Sequence, residues 1–166
     1  MDLQTEQAVW RRVKGPGAVT AEEALLPERL EALILQEQAD AAALRGLSRR
    51  MNGQGRAVLS RAAAATDSRA RELTALHYLL TGRRLRMKTP PVQSSGPIPE
   101  ALRETCLRLE QTARAYKSLE TEFSDRAELF SRFARDSREQ ARILLSQLKT
   151  HLPRQAELPK NSFPLK

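Results

Sequence analysis

The residue types best placed for chemistry lie inside a long helical segment, AAAATDSRAREL (residues 62–73). A helix in a bundle buries positions that are spaced alternately by three and four residues. In this helix the inward series reads Leu59, Ala62, Thr66, Arg69, Leu73, Leu76, Leu80. Thr66 and Arg69 therefore fall where the helix should face the core. A cation there needs a buried partner or a route to solvent.

Three other helical segments have the same interruption. Their inward series are Leu30, Leu33, Glu37, Asp40, Leu44, Leu47, Met51, then Leu102, Thr105, Leu109, Thr112, Tyr116, Leu119, Phe123, and then Phe130, Phe133, Ser137, Gln140, Leu144, Gln147, His151. Each series is polar near its middle, so the four together predict a polar layer that crosses the core at one height. An unpaired buried polar group lowers the free energy of unfolding by roughly 1–3 kcal/mol. We therefore expect the polar side chains of this layer to have partners inside the bundle.

Composition favours an all-α protein of one domain. The chain has 166 residues, of which only 4% are aromatic, and valine and isoleucine are few, so helix propensity dominates. We predict a first helix from Pro27 to about Met51 and a second from about Arg56 to Thr81, with Gly82 as its C-cap. A third helix is predicted from Pro99 to about Glu122. A fourth is predicted near Asp125–Leu152 and is ended by Pro153.

These helices predict an antiparallel four-helix bundle over residues 27–152. It consists of two hairpins, 27–82 and 99–152, joined by a long crossover at 83–98. An arm with a short helix at 3–14 occupies residues 1–26, and residues 153–166 form a flexible tail. The halves repeat: LPERLEALILQ (26–36) resembles IPEALRETCLR (98–108), and VLSRAAA (58–64) resembles LFSRFAR (129–135).

The chain resembles the rubrerythrin branch of the ferritin-like proteins over about residues 27–152. The resemblance rests on the hairpin order, the repeat, and the segments EQADAAALRGL (37–47), LTALHYLLTGRR (73–84) and TEQAVWRRV (5–13). It implies a ferritin-like bundle with a carboxylate-bridged di-iron or di-manganese site for peroxide reduction or metal oxidation. The ligands implied are one Glu from each of two helices and Glu-x-x-His from each of the other two.

The ligand positions of that family are mostly occupied by other residue types. Glu37 matches the first Glu, but the other five positions hold Thr66, Arg69, Leu109, Ser137 and Gln140. One ligand of six cannot hold two metals, so we expect no metal and no other cofactor. We hypothesise that Arg69 instead pairs with Glu37 inside the bundle, with Asp40 as a second carboxylate. Thr66, Thr112, Ser137 and Gln140 would supply hydrogen bonds. The alternative is that Arg69 extends out of the core to solvent.

Several other reactive residue types have structural interpretations. His77 lies off the inward series, and His151 falls in a last helical turn, where a cation suits the helix dipole. Tyr116 is expected to fill core beside Leu109. The lone Cys106 has no disulfide partner and is interpreted as a small apolar helix residue.

Three functions remain open. The favoured one is a non-catalytic ferritin-like bundle with a structural or partner-binding role. The second is a metal-dependent oxidoreductase or iron-handling protein, binding iron or manganese in a rearranged site that uses Glu37, Asp40 and Glu110. The third follows from the net charge of +8: a basic adaptor for nucleic acid or another polyanion, through Arg83, Arg84, Arg86 and Lys88.

The sequence also sets expectations about location and assembly. It has no apolar run long enough to span a membrane and no segment typical of a secretory signal, and a single cysteine suits a reducing compartment. We therefore expect a cytoplasmic protein. Self-association, with the VWRRV segment packing on a second subunit, is compatible with all three functions, as is packing of that segment on its own bundle.

Overall fold

The computed structural model describes residues 21–85 and 96–151, and within these ranges the fold is all-helical. The helices are α1 (Ala21–Arg50), α2 (Gly53–Thr81), α3 (Ile98–Glu122) and α4 (Ala127–His151), with a 3₁₀ turn at Ser124–Arg126 before α4. The predicted short helix at 3–14, most of the crossover and the tail lie outside the described residues. Among the helices described, none is long and apolar enough to cross a membrane.

The first helix begins at Ala21, so the prediction that Pro27 opens it is wrong. Pro27 lies inside α1, six residues after its start. A proline within a helix removes one backbone hydrogen bond. Two features favour the longer helix nonetheless: the residues before Pro27 (AEEALL) have high helix propensity, and Leu26 is buried in the core at 2% exposure.

The connections between paired helices are short. Only Met51 and Asn52 separate α1 from α2, so α2 begins at Gly53 rather than near Arg56. Gly53 has a φ of 54°, a region that favours glycine, and this permits the tight reversal. At the other end of α2, Gly82 adopts the left-handed conformation and its N–H donates to the carbonyl of Tyr78 at 2.7 Å, as expected of a glycine C-cap.

Side-chain contacts show that neighbouring helices run in opposite directions. Helices α1 and α2 pack as one hairpin and α3 and α4 as another, while α1 also packs on α3 and α2 on α4. Arg29 near the start of α1 donates to Ser118 near the end of α3, whereas Asp40 further along α1 meets Arg108 in the first half of α3. On the other side, Thr66 and Glu72 of α2 meet Gln140 and Arg132 of α4 in reverse order.

The core is divided into two apolar clusters. One is built around Leu44, Leu59, Leu102 and Leu144, and the other around Leu30, Leu73, Phe130 and Phe133. The residues between them are the predicted polar middles of the four inward series. Nearly every position in those series is buried. The exceptions among those described are Leu76, Leu80 and Gln147, which are half-buried near helix ends.

Two glycines provide a matched test of the backbone geometry. An added Cβ meets no atom within 4 Å at either Gly46, inside α1, or Gly82, but only Gly82 has a positive φ, of 67°. Gly46→Ala should raise the free energy of unfolding by about 0.5–1 kcal/mol, because alanine loses less backbone entropy in a helix. Gly82→Ala should lower it by about 1–2 kcal/mol, because a Cβ is strained in that conformation. Urea unfolding measures both, and equal effects would contradict the assigned helix end.

Candidate functional site: a buried charge pair

A charged pair occupies the centre of the bundle. Nε and Nη2 of Arg69 donate to Oε1 and Oε2 of Glu37 at 2.8 and 2.9 Å, a two-point contact between α2 and α1. Glu37 is fully buried and Arg69 is 3% exposed. The structure therefore brings together the two residues that the sequence pattern pairs, and Arg69 does not extend to solvent.

The third helix contributes a hydroxyl to the same carboxylate. Tyr116 Oη donates to Oε1 of Glu37 at 2.6 Å, and its ring packs against Phe133 with a centroid distance of 5.3 Å. Tyr116 was predicted only to fill the core. Its place on the inward series was a usable signal, because a fully buried tyrosine hydroxyl usually finds a hydrogen-bond partner.

The fourth helix completes the layer through Gln140. Its Oε1 accepts from Arg69 Nη2 at 2.9 Å, and its Nε2 donates to the carbonyl of Ala62 at 3.3 Å. Thr66 Oγ1 also accepts from Arg69 Nη2, at 3.3 Å, and donates to the carbonyl of Ala62 at 2.9 Å. All four helices thus hold one network around the Glu37–Arg69 pair.

Two of the four predicted hydrogen-bonding residues lie outside this network. The hydroxyl oxygens of Thr112 and Ser137 are buried, and neither has a hydrogen-bond partner among the described residues. The inward series correctly places both residues in the core. Burial alone did not bring their short side chains within reach of Arg69 or Glu37.

Asp40 does not share Arg69, contrary to the hypothesis. Its Oδ1 accepts from Nε of Arg108 at 2.8 Å, and its Oδ2 accepts from Gln36 at 3.1 Å. Asp40 lies one helical turn beyond Glu37 and faces α3, while the guanidinium of Arg69 is engaged by Glu37, Gln140 and Thr66. Arg108 also donates to Thr105 at 3.1 Å. A second carboxylate–arginine pair therefore joins α1 to α3, with its arginine side chain 30% exposed.

Burial and mutual attraction set the protonation behaviour of the network. Burial raises the pKa of the Glu37 carboxyl, and the hydrogen bonds and charge of Arg69 oppose that rise. Burial would lower the pKa of Arg69, but Glu37 more than offsets this, and the pKa of Arg69 stands above its ordinary value. Burial and the adjacent Glu37 carboxylate raise the pKa of Tyr116 well above 10.0. The balance leaves the pKa of Glu37 above its ordinary value, because the contacts with Arg69 offset only part of the effect of burial.

The donor set does not fit a two-metal centre. Of the six positions that the sequence resemblance equates with metal ligands, only Glu37 carries a carboxylate, and Arg69 donates to both of its oxygens. Leu109 is fully buried and apolar. Among the described residues no group of three or more His, Cys, Asp or Glu side chains could hold a metal ion. What the layer can do is hold four helices in one register by charge-assisted hydrogen bonds.

The remaining predicted residues lie elsewhere. His77 is 3% exposed, with Nε2 3.0 Å from Oε1 of Glu31. Cys106 is half-buried against the carbonyl of Ala141, and burial raises the pKa of its thiol. Glu110 is half-buried. Arg83 and Arg84 are exposed after α2, whereas Arg86, Lys88 and the side chain of His151 lie outside the described residues.

Comparison of the chain with protein-family models, with curated proteins and with solved structures finds no match.

Removing one member of the central pair should be costly. Arg69→Met, which roughly keeps side-chain volume, should lower the free energy of unfolding by about 3–5 kcal/mol, because Glu37 stays buried without its cation. Glu37→Leu/Arg69→Met should cost clearly less than the two single changes added together, since no charge remains to be buried. Asp67→Asn is the control: it breaks the exposed Arg45–Asp67 pair and should cost at most about 1 kcal/mol. Urea unfolding giving Arg69→Met the same cost as this control would contradict the central role.

The raised pKa of Tyr116 has a measurable consequence. In a Tyr78→Phe variant, Tyr116 is the only tyrosine. The folded state holds the Tyr116 proton more tightly than the unfolded state, so this proton contributes stability that is complete below pH 10 and is lost as pH rises through the folded-state pKa. Tyrosinate absorbance should therefore appear well above pH 10 or together with unfolding. Its appearance near pH 10 in the folded protein, monitored by circular dichroism, would contradict the Tyr116–Glu37 contact.

Proposed function

We propose that this protein is a rubrerythrin-related, ferritin-like bundle that has lost its di-metal site and acts without catalysis, in a structural or partner-binding role. The observation that carries the proposal is the position of Arg69. Its guanidinium lies at the centre of the four helices, at the family's histidine position, and neutralises the one family carboxylate that remains, Glu37. A fixed protein cation there does the electrostatic work that bound metal ions would otherwise do.

The arrangement of the helices supports the same proposal. Each hairpin has a short connection, and a longer connection of residues 82–97 joins the hairpins. This is one of the connectivities of four-helix bundles, and it is the one found in ferritin-like folds. The internal repeat between the two halves of the chain is consistent with it.

A rearranged metal site finds less support. It would need Asp40 and Glu110 to join Glu37. Asp40 is bound to Arg108 and Glu37 to Arg69, so both carboxylates already have cationic partners. A metal ion would have to displace two arginines from buried carboxylates.

Metal content tests the proposal. The full chain, purified without chelator, is offered ferrous iron and manganese and measured by mass spectrometry beside a Glu37→Ala variant. We expect near-zero stoichiometry in both proteins. About one or two metals per chain, the capacity of a di-metal bundle, lost in the Glu37→Ala variant, would overturn the proposal.

A further inference from the structure

The positive charge of the chain is concentrated in one part of the first hairpin. Between Asp40 and Asp67 the sequence has five arginines and no acidic residue, and these five account for most of the net charge of +8. The residues are Arg45, Arg49, Arg50, Arg56 and Arg61, here called the arginine tip. They lie on the last turns of α1 and the first turns of α2, on either side of the Met51–Asn52 connection.

The arginine tip faces solvent. All five residues are exposed. Arg45 pairs with Asp67, and Arg50 donates to the carbonyl of Gly96. Within the described residues, Arg49, Arg56 and Arg61 have no carboxylate partner. Their charges are therefore not neutralised by neighbours on the bundle and are available to an anionic partner.

Other charged residues at the same end of the bundle do not cancel the positive charge of the arginine tip. The start of α3 carries exposed Glu100 and Glu104 together with Arg103, and the end of α4 carries exposed Lys149. Gln147 of α4 lies beside Gly55, which places that end of α4 next to the arginine tip. The two glutamates are balanced by these two cations, so the end of the bundle keeps the charge of the tip.

From this surface we propose that the arginine tip binds the phosphate backbone of duplex nucleic acid, independently of base sequence. Guanidinium groups bind phosphate oxygens through paired hydrogen bonds.

Other partners fit the arginine tip less well. Residues 41–66 contain no aromatic side chain on which single-stranded bases could stack. Among the residues that the structure describes, the exposed large apolar ones are Leu25, Tyr78, Leu79, Leu107 and Leu145, and all lie outside this segment. The tip thus lacks the apolar wedge of a membrane-surface helix and the apolar centre of a protein interface. This site is distinct from Arg83 and Arg84, which follow the opposite end of α2.

Fluorescence anisotropy with a labelled DNA duplex of mixed sequence tests the proposal. The tip variant Arg49→Gln/Arg56→Gln/Arg61→Gln is compared with a control of equal charge, Arg114→Gln/Arg135→Gln/Arg138→Gln. The control residues are also exposed and, in the described chain, also lack a carboxylate partner. Circular dichroism checks that both variants keep their helix content, as expected since glutamine is a good helix former.

We expect the wild type and the control to bind the duplex with the same steep dependence of log Kd on log salt concentration. The tip variant should bind more weakly. Its slope of log Kd against log salt concentration should be smaller by about 2.7, which is about 0.9 for each of the three lost phosphate contacts. Equal losses in the tip variant and the control would overturn the proposal, since net charge alone would then explain binding. Absence of duplex binding, tighter binding to the matched single strand, or binding only to vesicles containing phosphatidylserine would overturn it as well. The assay needs no assumption about metal, so its result is independent of the function proposed above.

Discussion

A buried carboxylate needs a cation, and this requirement organises the bundle. Glu37 lies at the point where all four helices meet, fully removed from water. An isolated ionised carboxylate in such a place would be strongly destabilising, and it would take up a proton unless it were paired. Arg69 supplies the charge, Tyr116 supplies a further hydrogen bond, and Gln140 and Thr66 orient the guanidinium. Each of the four helices is therefore tied to one charged group.

The rest of the core follows from this layer. Apolar side chains fill the space on both sides of it and form two clusters rather than one. An apolar core of the same size would not need a particular rotation of each helix. A network whose members come from four helices satisfies its hydrogen bonds in only one register, so the polar layer specifies the arrangement while the two apolar clusters supply most of the driving force.

The inward series made much of this predictable, because the spacing of buried positions in a helix is fixed by its geometry. The series placed Glu37 and Arg69 in the core, and opposite charges buried together are expected to pair. The same logic could not predict the Asp40–Arg108 pair, because Arg108 lies one position off its series and reaches Asp40 only through its long side chain. Nor could it predict that Thr112 and Ser137 stay without partners, since that depends on distances of a few ångströms between helices. The start of α1 was misplaced because the burial of Leu26 favours helix through Pro27.

The most direct test of the central claim is to restore the metal ligands that Arg69 is inferred to replace. The variant carries Thr66→Glu, Arg69→His, Leu109→Glu, Ser137→Glu and Gln140→His, with Glu37 kept, and metal content is measured after refolding with manganese. If the polar layer is a former di-metal site with an arginine in place of the metal, this chain should fold as a helical protein and bind about two metal ions. A variant that binds no metal, whether folded or not, would contradict this account of the layer.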